Sequence, residues 1–505
     1  MPSIARALPL AASLMLSSCT LGPDFTRPKS PDVQNYTPRA EAEQAIKTLQ
    51  RGQELPAQWW ALFHSKPLTA LIEQAIKHNP DLLSAQATLV QAQELADAKQ
   101  GSLLPSVDAT GYATRQQISG AQFGNPRAGS SIFDLYNTSV KVSYTLDVFG
   151  AVRRQIENLS AQAEYQRFQL EGAFLTLAAN IVTTAIQEAS LRAQQTATED
   201  MIAAQAEQLD VIKQQFELGG IAKAAVLAQE STLAQTRTLL PPLQQQLAQS
   251  RHRLKVLVGA YPSTDLAAQF TLGDLQLPAS LPLSLPSKLV EQRPDIRAQE
   301  ALLHAATAQI GVVTASMFPD FTISANVGTI ATQAGGLFVP GSEIWNLTGN
   351  LLQPLFHGGD FTHKRHAAKA AYQQAAANYQ STVMQAFQNV ADTLSALQYD
   401  ADALKTQQVA ERAAKDSLEL TRSQFQVGAV SYLALLTSER DYQQARIGHI
   451  KAKAAQLADT AALFQALGGG WWQRADLAQT IQDNPPKAKP ATSLFKRFEQ
   501  FRNGE

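Results

Sequence analysis

Three histidines, His357, His363 and His366, are the residues best placed to do chemistry. His363 and His366 lie three apart, so a helix would put both imidazoles on one face, where they could hold a metal ion. They read instead as solvated surface residues, and no metal site is assigned. Gly358 and Gly359 beside them read as a sharp strand-to-helix turn. There is no phosphate-binding Gly-rich loop, nucleophile elbow or paired-cysteine metal motif, so no catalytic residue and no cofactor is assigned. Lys plus Arg number 42 against 43 Asp plus Glu, a balance that gives no footing for nucleic acid.

The single cysteine, Cys19, rules out an intramolecular disulfide. It ends a run of Arg6, apolar Ala7–Leu16, then Ser17 and Ser18, which reads as a secretory signal over residues 1–18. The arrangement resembles a bacterial lipoprotein signal, cut before Cys19, which would then carry lipid. Thr20 stands where many lipoproteins retained in the inner membrane carry Asp, and so points to the outer membrane. No later stretch is expected to be a transmembrane helix. A chain that spans a membrane without one must use β-barrel strands.

The elements that position these residues come as one unit used twice. Asn79-Pro80-Asp81-Leu82 returns as Arg293-Pro294-Asp295-Ile296, and Pro105 as Pro319, both displaced by 214. Phe216, Gly219, Glu230, Arg237 and Gly259 return as Phe425, Gly428, Glu439, Arg446 and Gly468, each displaced by 209. The expected repeats are 65–259 and 288–470, joined by an equatorial segment at 260–287 and preceded by an extended segment at 19–64. Each reads as helix, strand pair and long helical hairpin. The strand pairs are expected at 105–116/139–149 and 319–332/344–356, the hairpins at 150–258 and 360–467.

The strands alternate: Val140, Val142, Tyr144 and Leu146 with Lys141, Ser143 and Thr145; Trp345, Leu347 and Leu351 with Asn346, Thr348 and Asn350. Period two over about ten residues suits either a lipid-facing barrel strand or a soluble two-hairpin sheet. Four strands cannot close a barrel, two chains would give one plugged by side chains, and three would give an open lumen. The proline-free stretch from Gly150 to Gly219 would make a helix about 100 Å long. Val383, Phe387, Val390, Leu394 and Leu397 step by four and three, a coiled-coil seam. Pro241-Pro242 must break or bend the first returning helix, where the second copy has Ile450-Lys451.

WWALFHSKPLTALIEQAIKHNPDL from Trp59, LDVFGAVRR from Leu146, RPDIRAQEALLHAATAQIG from Arg293 and QPLFHGGDF from Gln353 carry a family likeness. Together, from about Cys19 to Trp472, they resemble the TolC-type outer-membrane efflux factors, most closely the lipoprotein branch that serves resistance–nodulation–division pumps. The resemblance implies a mainly α fold with a membrane β-barrel: a homotrimer with a twelve-stranded barrel and a long periplasmic helical barrel. It implies a periplasmic adaptor and an inner-membrane pump as partners, with the hairpin tips at Gly219, Gly220, Gly428 and Ser431 facing the adaptor. It implies a periplasmic gate past the second tip, with Leu433 as an apolar constriction and Arg440 as a pairing position. Ala434 and Thr437 stand where carboxylate rings often occur, and Glu439 and Asp441 are expected to turn away from that face. Residues 471–505, ending in SLFKRFEQF, read as a flexible tail or a short basic amphipathic helix.

The expected function is therefore passive export of drugs, solvents or metal ions. The alternatives are the exit duct of a protein-secretion system and a periplasmic coiled-coil adaptor.

Overall fold

The structure, a computed structural model, describes residues 20–37, 49–124, 127 and 129–474. The signal peptide, Cys19 and most of the C-terminal tail lie outside the described residues. In chain order the elements are β1 (Leu49–Arg51), α1 (Lys66–His78), α2 (Pro80–Gln100), β2 (Ser106–Ser119), β3 (Ser130–Leu146), α3 (Ala151–Glu217), α4 (Lys223–Thr238) and α5 (Leu240–Leu257). They continue as β4 (Leu281–Leu283), α6 (Pro286–Gln292), α7 (Pro294–Ala315), β5 (Asp320–Ala331), β6 (Glu343–Leu352), α8 (Asp360–Gln426) and α9 (Tyr432–Ala466). The chain folds as two compact units.

The first unit gathers the chain up to Lys29 with Leu83–Leu170 and Asp295–Met384. Its centre is a four-stranded antiparallel sheet ordered β2-β3-β5-β6. β3 pairs with β5, so the two repeats join through one strand contact. Period-two alternation in every strand aligns like with like across the register. Ala109, Val140, Val327 and Trp345 form one apolar row, and Val107, Val142, Ala325 and Leu347 form another. Asp108, Lys141, Asn326 and Asn346 form a polar row on the opposite face. β3 begins nine residues earlier than the strand expected from 139. Its first half carries Asp134 and Asn137, which hide the alternation, while pairing with β2 continues to Ser119↔Ser130.

The second unit gathers Ser30–Leu82, Glu171–Pro294 and the chain from Gln385. Trp59, Trp60, Phe63 and Phe464 are at most 2% exposed and form its aromatic centre. Trp59 and Phe63 meet Phe464 at 5.7 and 6.2 Å between ring centroids. A short parallel pair, β1 with β4, ties the segment before the first repeat to the one between the repeats.

The long helices run 67 residues each, about 100 Å at the α-helical rise. α3 carries an 18-residue stretch with mean hydropathy 1.2, where none was expected to pass as a membrane span. That stretch is 56% buried, and Ile181, Val182, Ala185 and Ile186 are at most 2% exposed, so its apolar side chains pack against protein. Pro241 and Pro242 fall in the first turn of α5, where their missing N–H groups cost nothing, and the returning helix breaks at Leu239. α9 runs unbroken through the equivalent position. The assumed tail opens with residues that are held: Trp471 Nε1 donates to the Gln292 carbonyl at 2.7 Å, and Arg474 pairs with Glu171 at 2.9 Å.

Candidate functional site

Three places could carry function: the sheet, the strap that follows Cys19, and the hairpin tips with the groove beside them.

The sheet is open on its apolar face among the described residues. Val107, Val327, Trp345, Leu347 and Leu351 are each 59–79% exposed. Among the described residues, β2 and β6 each keep one edge without a strand partner. On the polar face the Thr110 and Ser139 hydroxyls lie 3.1 Å apart, and those of Thr145 and Thr322 3.3 Å. One face is made for an apolar medium and the other for water.

The strap begins at Thr20, next to Cys19. The Leu21 N–H donates to the Phe149 carbonyl at 3.2 Å, at the junction between β3 and α3. Gly150 there has φ +77°, and a Cβ on it would run into Thr20, so the turn and the close approach both require glycine. Arg154, only 4% exposed, donates to the Leu21 carbonyl and pairs with Asp24 at 2.6 Å and Glu157 at 2.7 Å. The strap thus fixes the residue after Cys19 beside the end of a barrel strand.

At the tips, both long helices close with the same hydrogen-bond pattern. Gly219 N–H donates to Phe216 O at 2.9 Å and Gly220 N–H to Gln215 O at 2.8 Å. Gly428 N–H donates to Phe425 O at 3.0 Å and Ala429 N–H to Gln424 O at 2.8 Å. These are paired Schellman turns, with φ +74° at Gly219 and +73° at Gly428. Ser431 then caps α9, its side chain accepting from Ala434 N–H at 3.3 Å. Leu209, Ile212, Val226 and Leu233 form a buried cluster under the first tip, with Tyr432 packed against it. The Tyr432 hydroxyl donates to Gln229 Oε1, and Gln229 Nε2 donates to the Gln205 carbonyl at 2.8 Å.

Past the second tip, small side chains on α8 and α9 leave a groove of about 710 Å³. Leu433, Ala434, Thr437 and Asp441 line it from α9, facing Ser417 and Thr421 of α8. Leu433 is 72% exposed and so is not used in packing within the chain. Asp441 corrects an expectation. It stands four residues after Thr437, which is one helical turn, and shares its face. Arg440 lies beside it, Nη2 to Oδ1 3.3 Å. Glu439 does turn away and is 1% exposed. Burial raises its pKa and the charge of Arg422, 3.8 Å away, opposes that rise. Burial, and then the Glu439 charge, raise the pKa of Tyr432 as well.

The histidines do not converge. His363 and His366 lie 6.4 Å apart between ring centroids, His357 instead packs on Phe361, and all three are exposed. Among the described residues no three His, Cys, Asp or Glu side chains form a metal-holding group.

Comparison with known proteins agrees with this architecture. The sequence profile of the outer membrane efflux protein family matches residues 71–260 and 285–469, which nearly coincide with the two repeats. The cation efflux system protein CusC of Escherichia coli O6:H1 is 28% identical over 93% of this chain and 99% of its own. The toluene efflux pump outer membrane protein TtgF of Pseudomonas putida is 30% identical over 92% of this chain and 96% of its own. The solved outer-membrane channel OprN superposes with a TM-score of 0.82 at 26% identity, covering 90% of this chain and 100% of that one. With mainly helical architecture, a two-faced four-stranded sheet and a family match over both repeats, this outer-membrane efflux channel belongs to the outer membrane efflux protein family.

Proposed function

We propose that three copies of the chain close a barrel in the outer membrane and conduct small molecules passively, from a periplasmic adaptor and an inner-membrane resistance–nodulation–division pump to the exterior. The observation that carries this reading is the four-stranded sheet with exposed apolar rows, whose two edges have no strand partner among the described residues. Unpaired backbone in lipid is strongly unfavourable, so the edges must meet other copies. Three copies supply twelve strands and leave an aqueous lumen lined by the polar rows. Acylated Cys19 adds an anchor in outer-membrane lipid, one residue before the strap that docks from Thr20 at the strand–helix junction. A single acyl chain binds marginally, and the barrel supplies the rest.

Nothing in the sequence binds nucleotide, so the energy comes from the pump. Drugs, solvents and metal ions are all suited to such a duct, as the relatives named for cations and for toluene illustrate. The tips at Gly219, Gly220, Gly428 and Ser431 serve as the adaptor contacts. The gate lies in the groove past the second tip. Three Leu433 side chains around the axis form an apolar ring that excludes water. Thr437 and Asp441 follow on the same face, and Arg440 partly offsets the charge of Asp441. Opening requires the second hairpin to leave the first, which breaks the Tyr432–Gln229 bond and the Arg446–Asp200 pair.

The test is conductance in planar bilayers. Leu433→Ser should raise single-channel conductance, because a polar ring wets. A ring of Asp441 carboxylates should make the wild-type pore sensitive to trivalent cations, and Asp441→Asn should lift that block. Wild-type conductance in Leu433→Ser, together with unaltered cation block in Asp441→Asn, would remove the gate from this groove.

A further inference from the structure

Away from the groove, a ladder of ionisable pairs joins α8 to α9. Arg422 faces Glu439, Glu411 faces His449, and Asp400 shares a hydrogen bond with Asp459. Successive rungs are 11 residues apart on α8 and 10 apart on α9, close to three helical turns, so all three lie on one seam. The first repeat lacks the upper two rungs. Displaced by 209, Glu411 and His449 become Ile202 and Leu240, and Asp400 and Asp459 become Leu191 and Ser250. Only the rung nearest the tip is kept, as Lys213 with Glu230.

The uppermost rung needs a proton. Asp400 Oδ2 is buried and no protein N–H or O–H reaches it. Two ionised carboxylates have no donor between them, so the hydrogen bond exists only while one is protonated. Burial, followed by the hydrogen bond and charge of Asp459, pushes Asp400 up to about 7. Among the described residues neither carboxyl has a cationic partner. The neighbouring polar group on α9 is Gln456, whose Oε1 is also buried without a donor. The middle rung places the His449 imidazole against the Glu411 carboxylate. From α3, Asp200 engages Arg446 of α9, and Lys451 faces the concavity lined by Gln187 and Gln194. From α4, Gln229 receives the Tyr432 hydroxyl. None of these groups reaches the acid pair.

We propose that the α8–α9 seam is a proton-responsive clasp: a proton shared by Asp400 and Asp459 holds the second hairpin closed, and its loss loosens the seam while the first hairpin is unaffected. The direction follows from linkage. Asp400 binds its proton more tightly in the closed seam than in an open one, so its contribution is full in acid below its ordinary pKa of 3.8 and is lost as the pH climbs to about 7. The clasp rests on the hairpin geometry and not on the channel reading.

Hydrogen exchange on the full-length protein in detergent, read by mass spectrometry at pH 5.5, 6.5 and 7.5 and corrected for intrinsic rates, tests it. Between the two lower values the opening equilibrium of α8–α9 around Asp400 and Asp459 should rise by up to about tenfold per pH unit and flatten above about 7, while α3–α5 stays level. Asp459→Asn supplies an amide N–H in place of the shared proton and should flatten the α8–α9 profile. Equal pH dependence in the two hairpins of the wild-type protein would overturn the proposal, even if the variant failed to fold. An unchanged profile in a folded Asp459→Asn would do the same.

Discussion

The two helical hairpins descend from one pattern and differ where it matters. Their tips close through the same pair of hydrogen bonds at positions 209 apart. Beyond the tip they diverge. Ala222 leaves α4 without a side-chain cap, while Ser431 caps α9. The returning helix of the first hairpin breaks at its paired prolines and that of the second is continuous. Leu433, Thr437 and Asp441 correspond to Ala224, Ala228 and Thr232, so the first copy has neither the apolar ring nor the carboxylate. The ion pair at the tip rung is open to solvent in one copy, with Glu230 43% exposed, and closed in the other, with Glu439 1% exposed. Duplication supplied two hairpins of matching length. The second became the specialised one, carrying the gate residues and the ionisable seam.

The largest effect that would sharpen this comparison comes from the tip rung. Arg422→Ala leaves the buried Glu439 without its counter-charge and should destabilise the assembled protein by about 3 kcal/mol. Lys213→Ala, at the equivalent exposed pair, should cost under about 1 kcal/mol. Because burial already raises Glu439, the cost of Arg422→Ala should be greatest at alkaline pH and shrink as acid protonates the carboxyl. Thermal melts of both variants across pH measure this, and equal costs would erase the asymmetry.

Next come the tips themselves. Gly428→Val and Gly219→Val each force a branched residue into a left-handed conformation, at about 1–2 kcal/mol or somewhat more. A Cβ at either place meets no neighbour within 4 Å, so the helices should stay assembled while adaptor crosslinking weakens. Full crosslinking and full efflux in Gly428→Val would remove the tips from the docking surface. Smallest is Ser431→Ala, which should cost about 1 kcal/mol through the lost cap, whereas Ala222→Ser should gain a part of that. Calorimetry on the pair would expose any hidden difference in the turns.

Much of the fold was legible because it obeys short periods. Val140, Val142 and Tyr144 alternate over enough residues to announce a strand, and Val390, Leu394 and Leu397 announce a packed helix face. The pairing of β3 with β5 was not legible, since register is set by contacts between residues about 185 apart. The strap was hidden for the same reason. Arg154 meets Asp24 across 130 positions, and nothing local to either residue marks the pair.

The site was legible in part. Gly219 and Gly428 stood out because helices commonly stop at glycine in this conformation. Asp441 was misassigned by helical arithmetic alone, since a residue one turn from Thr437 must share its face. The burial of Glu439 depends on what packs over it, which its exposed counterpart Glu230 could not foretell.

The central claim is that the sheet is one third of a barrel. Multi-angle light scattering of the detergent-solubilised protein, with circular dichroism on the same sample, tests it most directly. The account predicts a protein mass of three protomers once the detergent is subtracted, with strand content retained. A stable monomer that keeps its strands would contradict it, because the free edges of β2 and β6 would then persist without a partner.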